Sequence, residues 1–132
     1  MSFDLYVFPP PGPTTIADAH RLIEADQDLD GRAPDVPARP DPEMASFLAE
    51  LERRWPTLEE DVDASPWSSS LWHPDAGGGT ELNISWPWAE SMRPAILDIA
   101  ARTKVTVYDP QADQLIRPPD DNPVRRFFKR RG

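Results

Sequence analysis

Between Met92 and Asp109 the hydrophobic pattern changes period. Met92, Ile96, Ile99 and Thr103 recur at helical spacing, and Leu97 and Ala100 widen the stripe. From Val105 the period becomes two: Val105 and Val107 face one way, Thr106 and Tyr108 the other. This predicts an amphipathic helix running into a buried strand. Asp109-Pro110 ends the strand, because proline cannot donate to a ladder. Pro94 falls inside the helical pattern. Proline is tolerated only in a first turn, so the regular helix is predicted to start near Ser91.

The same reading places the other elements. Over Ser2–Phe8, Phe3, Leu5 and Val7 alternate with Asp4, Tyr6 and Phe8, a set that is only partly polar. A central strand follows, covered on one face and half-covered on the other. Thr15 with Asp18 three residues on gives a cap for a helix over Thr15–Ala25, whose apolar stripe is Ile16, Ala19, Leu22 and Ile23. Asp41-Pro42-Glu43 is a helix start, and Met44, Phe47, Leu48, Leu51 and Trp55 follow at helical spacing until Pro56 stops them. Strands are predicted at Trp67–His73 and Glu81–Trp86, joined by a Gly-rich loop into a hairpin, with Leu82, Ile84 and Trp86 on the core face. A short strand at Gln114–Arg117 ends at Pro118-Pro119.

The order predicts an α+β fold: an antiparallel sheet with helices on one face. In detail it is a ferredoxin-like βαββαβ with an extra helix and a short C-terminal strand. The alternative is a less regular α+β sandwich of the same elements. Residues 1–119 form one domain, with Val105–Asp109 beside Ser2–Phe8, and residues 120–132 are expected to be a basic, flexible tail.

Composition changes the picture in three ways. Proline, at 17 of 132 residues, implies short elements joined by stiff connections. Cysteine is absent, which removes disulfides, thiol nucleophiles and thiolate metal sites. The net charge of −9 is uneven: PVRRFFKRRG holds five basic groups, leaving 9 basic against 23 acidic groups elsewhere, a charge of −14. Such a body repels nucleic acid and attracts a basic partner. No apolar run approaches the roughly 20 residues of a membrane span. MSFDLYVF lacks the basic region of a signal peptide, so a cytoplasmic protein without membrane contact is expected.

Candidate chemistry is sparse. The two histidines, His20 and His73, lie on different elements, and Ser70, His73 and Asp75 are too close in sequence to converge as a proton relay. No metalloprotease, P-loop or dinucleotide-binding motif occurs. Asp26, Asp28, Asp30 and Gly31 match the opening of a calcium loop, but its closing glutamate is replaced by Pro37. No catalytic residue, metal or cofactor is therefore assigned. A protein-binding role is expected instead. Trp67, Trp72 and Trp88 are the candidate anchors, and Glu59, Glu60, Asp61 and Asp63 the steering charges toward a basic protein partner. Trp55 and Trp86 are assigned to the core. A small-ligand or calcium-binding module, or an enzyme of unrecognised type, are the alternatives.

Four segments carry a resemblance: the opening MSFDLYVF, the helix ending LERRWP, the SPWSS segment and the closing IAARTKVTVYDPQ. In outline, over residues 1–118, the chain resembles small, uncharacterised bacterial proteins that begin M-S-[FY]-D-L. These are similar to the immunity proteins of bacterial toxin systems. The resemblance implies a protein that neutralises a cognate toxin by binding and occluding it, and defines no functional residues to carry over.

Overall fold

Alternation along the first strand sets the two faces of the sheet. The computed structural model describes residues 2–28, 41–74 and 77–119, without the side chains of 26–28. Strand β1 (Ser2–Phe8) pairs antiparallel with β2 (Thr80–Ser85), where Phe3 opposes Ile84 and Leu5 opposes Leu82. On its other side it pairs antiparallel with β3 (Thr106–Asp109), where Tyr6 opposes Tyr108 and Val7 opposes Val107. A turn over 110–113 returns β4 (Gln114–Ile116) along β3. The sheet is therefore four-stranded and antiparallel, in the order β2-β1-β3-β4. Because β2 and β3 both oppose β1, they run parallel to each other with β1 between them.

Opposed residues of an antiparallel ladder share a face. Phe3, Leu5, Val7, Leu82, Ile84 and Val107 thus form one apolar face. Helices α2 (Pro42–Arg54) and α3 (Trp86–Thr103) cover it with Met44, Phe47, Leu48 and Leu51 from α2 and Met92, Ile96, Ile99 and Ala100 from α3. Each such fully buried side chain contributes about 1.5–3 kcal/mol relative to exposure.

The opposite face is also covered, which corrects the expectation of helices on one face. Helix α1 (Ile16–Asp28) packs Ile16, Ala19 and Ile23 against Tyr6, Phe8, Tyr108 and Leu115. The even positions of β1 and β3 supply three aromatic rings there, and that surface needs shielding from water as the odd face does. Thr15 caps α1 as the sequence predicts, its hydroxyl accepting the Asp18 N–H at 3.1 Å.

Two other expectations are corrected. No Trp67–His73 strand forms; the segment keeps one antiparallel bridge, Trp67 to Ile84, on the outer side of β2. The Ser68 N–H donates to the Asn83 carbonyl and the Ser85 N–H to the Pro66 carbonyl. Beyond them the ladder stops, because the Ser69 hydroxyl turns to Asn83 Oδ1 and the Ser70 hydroxyl to Glu59. Helix α3 starts at Trp86 rather than near Ser91, with Ser85 as its N-cap residue. Pro87 takes the first-turn position, where its missing N–H is no loss. Pro94 stands inside the helix on an exposed position, and the Glu90 carbonyl it deprives of a partner belongs to an exposed residue within reach of water.

One close approach holds the strand-to-helix loop in place. Gly12 has φ +65°, and a Cβ there would lie 2.7 Å from Thr106 Oγ1, a side chain buried within β3. Gly12→Ala is expected to cost about 1–2 kcal/mol in backbone conformation, with overpacking against Thr106 in addition. A lowered urea midpoint with unchanged m-value checks it.

Candidate functional site

After α2 the chain makes a series of turns held by its own side chains. The Thr57 hydroxyl accepts the Glu60 N–H at 3.2 Å. Asp61 Oδ1 accepts the N–H groups of Asp63 and Ala64, each at 3.1 Å. Asp61 is thus spent on shaping its turn, as acidic side chains often are in loops. Glu59 receives the Ser70 hydroxyl, which holds its carboxyl below the usual glutamate range. That bond fastens the acidic turn to the segment carrying Trp72. Between the carboxylates, Val62 projects with 69% of its surface exposed, and Trp72 is 64% exposed.

Trp72 is placed from two sides. Its carbonyl accepts the Thr80 hydroxyl at 2.9 Å, at the start of β2. The next residue, His73, contacts Glu52 near the end of α2 through Nε2 at 2.6 Å. The Gly77 N–H then reaches Asp41 Oδ2 at the start of α2, 2.8 Å away. The segment therefore lies along α2, with Trp72 at its outer end. Val62 and Trp72 thus stand exposed on two segments that the Ser70–Glu59 bond holds together, the first of which also carries Glu59, Glu60, Asp61 and Asp63.

The other candidate anchors lie elsewhere. Trp67 is 2% exposed and stacks edge-on against Trp55, with ring centroids 6.1 Å apart. Its burial takes it off the surface and into the core. Trp88 is 44% exposed but sits in the first turn of α3, beyond the Ser85 end of β2. Trp72 adjoins the Thr80 end, roughly 17 Å away along the strand. Trp86, assigned to the core from sequence, is exposed beside Trp88, its ring edge-on to Phe3 at 5.5 Å. The two tryptophans that remain at the surface from the original three thus mark opposite ends of β2. Val62 was missed in the sequence because a lone valine among five acidic and apolar loop positions carries no periodic signal.

Two polar clusters on the α1 side of the sheet are internally satisfied. Asn83 Nδ2 donates to Asp4 Oδ1 at 2.7 Å and to Glu81 Oε1 at 2.9 Å, and Ser2 donates to the same Asp4 oxygen at 2.7 Å. Under α1, the Tyr108 hydroxyl donates to Asp113 Oδ1 at 2.7 Å and lies 3.2 Å from His20 Nε2. A phenol has one proton, so His20 must donate from Nε2 for both contacts to be hydrogen bonds. The cluster fastens α1 to the β3–β4 turn. It offers no nucleophile, since the bond to Asp113, with burial and the nearby carboxylates, pushes the Tyr108 phenol up to about 12. Tyr6 is also raised, by burial first and then by Glu81 and Asp4.

These two are the only tyrosines, so the tyrosinate signal belongs to them alone. In the unfolded chain a phenol ionises near pH 10. Folded Tyr108 keeps its proton where the unfolded chain has lost it, so its contribution to stability is intact below pH 10 and lost as pH rises toward 12. The Tyr108 share of the tyrosinate absorbance is expected to appear only together with loss of helical circular dichroism. Ionisation of both phenols near pH 10 in a chain that stays folded would contradict the Tyr108–Asp113 bond.

Ser70 and His73 face different partners, Glu59 and Glu52, and Asp75 lies outside the described residues. So do Asp30 and the side chains of Asp26 and Asp28, the candidate calcium ligands, and residues 120–132. Among the described residues no group of three or more His, Asp or Glu side chains is placed to hold a metal ion. No described helix is long and apolar enough to cross a membrane. No protein-family model matches the chain, and comparisons with curated proteins and with solved structures find no match.

Proposed function

We infer that the chain is a protein-binding module, most concretely an immunity-type inhibitor that neutralises a basic bacterial toxin by occlusion. One observation carries the reading: Val62 and Trp72 stand exposed on two segments clipped together by Ser70 and Glu59, the first of them acidic. Exposed large apolar groups ringed by polar ones mark interaction sites. Trp72 would supply the buried anchor, and Glu60 and Asp63 the long-range attraction. Asp61 shapes the turn and Trp67 holds the frame, so neither is an anchor. We further read the sheet as a ferredoxin-like frame in the cytoplasm, its second strand worn down to the Trp67–Ile84 bridge.

The test is co-expression with the product of the adjacent reading frame. Rescue from its toxicity and a stable complex are expected. Trp72→Ala is expected to weaken that complex by about 2 kcal/mol or more, the scale of an interface hot spot. Trp88→Ala, at the other end of β2, is expected to leave it unchanged. Glu60→Lys with Asp63→Lys is expected to slow association and flatten its salt dependence. An equal loss from the Trp72 and Trp88 variants would sink the assignment of the surface.

A further inference from the structure

The chain itself carries a segment whose chemistry complements the Val62–Trp72 surface. Beyond Pro119 the sequence is DDNPVRRFFKRRG, with Phe127 and Phe128 between Arg125 and Arg126 on one side and Lys129, Arg130 and Arg131 on the other. The surface has two apolar groups among acids; the segment has two among bases. We propose that Arg125–Arg131 seats on the Val62–Trp72 surface of its own chain, so that a basic protein partner must displace it. This rests on the reading of that surface as a binding site and adds its regulation.

Strand register supplies the reach. Ile116 of β4 opposes Val107, Val107 opposes Val7, and Val7 opposes Thr80, so these four lie in one row across the sheet. The row ends at Trp72, whose carbonyl the Thr80 hydroxyl meets. β4 therefore leaves the sheet at the end where Trp72 stands. Three strand spacings separate β4 from β2, about 14 Å. The six residues from Pro119 to Arg125 span up to about 20 Å when extended. A tether that short gives an effective concentration in the millimolar range. Weak contacts with a second copy of the chain cannot compete with that in dilute solution. Charge gives the direction: the rest of the chain holds −14, and Val62 stands between Glu60 and Asp63 in the sequence.

The test uses the full chain and no partner. In dilute buffer, the backbone amide of Val62 and the indole N–H of Trp72 are followed by nuclear magnetic resonance. The native chain is compared with a variant carrying Arg125→Glu, Arg126→Glu, Lys129→Glu, Arg130→Glu and Arg131→Glu. Both signals are expected to differ between the two chains. Raising salt to about 1 M, where the screening length is about 3 Å, is expected to bring the native signals to the variant's positions. Glu60→Lys with Asp63→Lys is expected to move the Phe127 and Phe128 amides in the same way, from the other side of the contact. Coincident Val62 and Trp72 signals in the native and variant chains at low salt would overturn the proposal. So would native signals that shift on dilution, since the occupant would then be a second copy. Failure here leaves partner rescue untouched, and failure of rescue leaves this contact standing.

Discussion

Trp67→Ala is expected to remove about 3–5 kcal/mol of folding stability, the range for deleting a large buried aromatic side chain. A small domain has about 5–15 kcal/mol in total, so the variant should be partly unfolded near its working temperature. The reason is position as much as size. Trp67 belongs to the core cluster shared by α2, β2 and the half-buried Trp55, and its bridge to Ile84 is the one backbone ladder contact of the 65–74 segment with the sheet. Losing the ring loosens the segment that presents Trp72. The indole also has a cost: Nε1 is buried and, among the described residues, finds no hydrogen-bond partner. Leaving such a donor unmet costs about 1–3 kcal/mol. Trp67→Phe removes that donor along with part of the volume, and is expected to lie within about 1.5 kcal/mol of the native chain. Urea denaturation of the three proteins decides it. A loss from the phenylalanine variant well beyond about 1.5 kcal/mol would show that removing the orphan N–H relieves no penalty.

Asp109→Ala is expected to cost about 1.5–3 kcal/mol, the scale for losing charge-assisted hydrogen bonds at a buried carboxylate whose partner Arg93 keeps 30% of its side chain exposed. Asp109 is 1% exposed at the end of β3. Its Oδ2 accepts Arg93 Nε at 2.8 Å, while Oδ1 accepts the N–H groups of Gln111 at 3.0 Å and Ala112 at 3.2 Å. The same arginine donates from Nη2 to Gln114 Oε1 at 2.9 Å. One carboxylate thus ties α3 to the turn and, through Arg93, to β4. The pair should be strongly coupled: Arg93→Met in the Asp109→Ala background is expected to cost far less than in the native chain. Additive losses in that double-mutant cycle would mean that the two side chains act independently. Asp109→Asn keeps the turn's acceptor but sets an NH2 donor against Arg93 Nε, so its loss measures the whole Arg93 contact, charge and hydrogen bond together.

Helices and strands with a strong period were legible. The α2 stripe of Met44, Phe47, Leu48 and Leu51 is fully buried, and Val107 and Tyr108 face opposite sides as the alternation requires. Where the sequence misled, two local rules competed. Both Pro87 and Pro94 ask for the first turn of a helix; Pro87 holds it, and the helix reads five residues longer than the pattern alone suggests. The same shift turns Trp86 from a strand residue facing the core into an exposed helix residue. Trp67–His73 had a strand's apolar ends but a serine-rich middle whose hydroxyls bond elsewhere. The binding surface was legible in kind, as tryptophan beside acids, and not in membership. Exposure of Val62 and separation of Trp72 from Trp88 are tertiary facts. The Arg93–Asp109 pair is another, since nothing local links a helix arginine to an aspartate that already reads as a strand stop.

The central position of β1 has a consequence for how the chain is made. Its ladder partners begin at Thr80 on one side and Thr106 on the other. A ribosome delivers Ser2–Phe8 before either partner, and until Thr80 is made that strand has both edges bare. Contacts this distant in sequence slow folding, and unpaired edges are the usual route to aggregation. Until Ser85 has emerged, Phe3 and Leu5 lack their ladder partners, and Val7 gains its second only with Val107. Of the four strands the first made is therefore the one that waits longest, and β2 and then β3 close the sheet on either side of it.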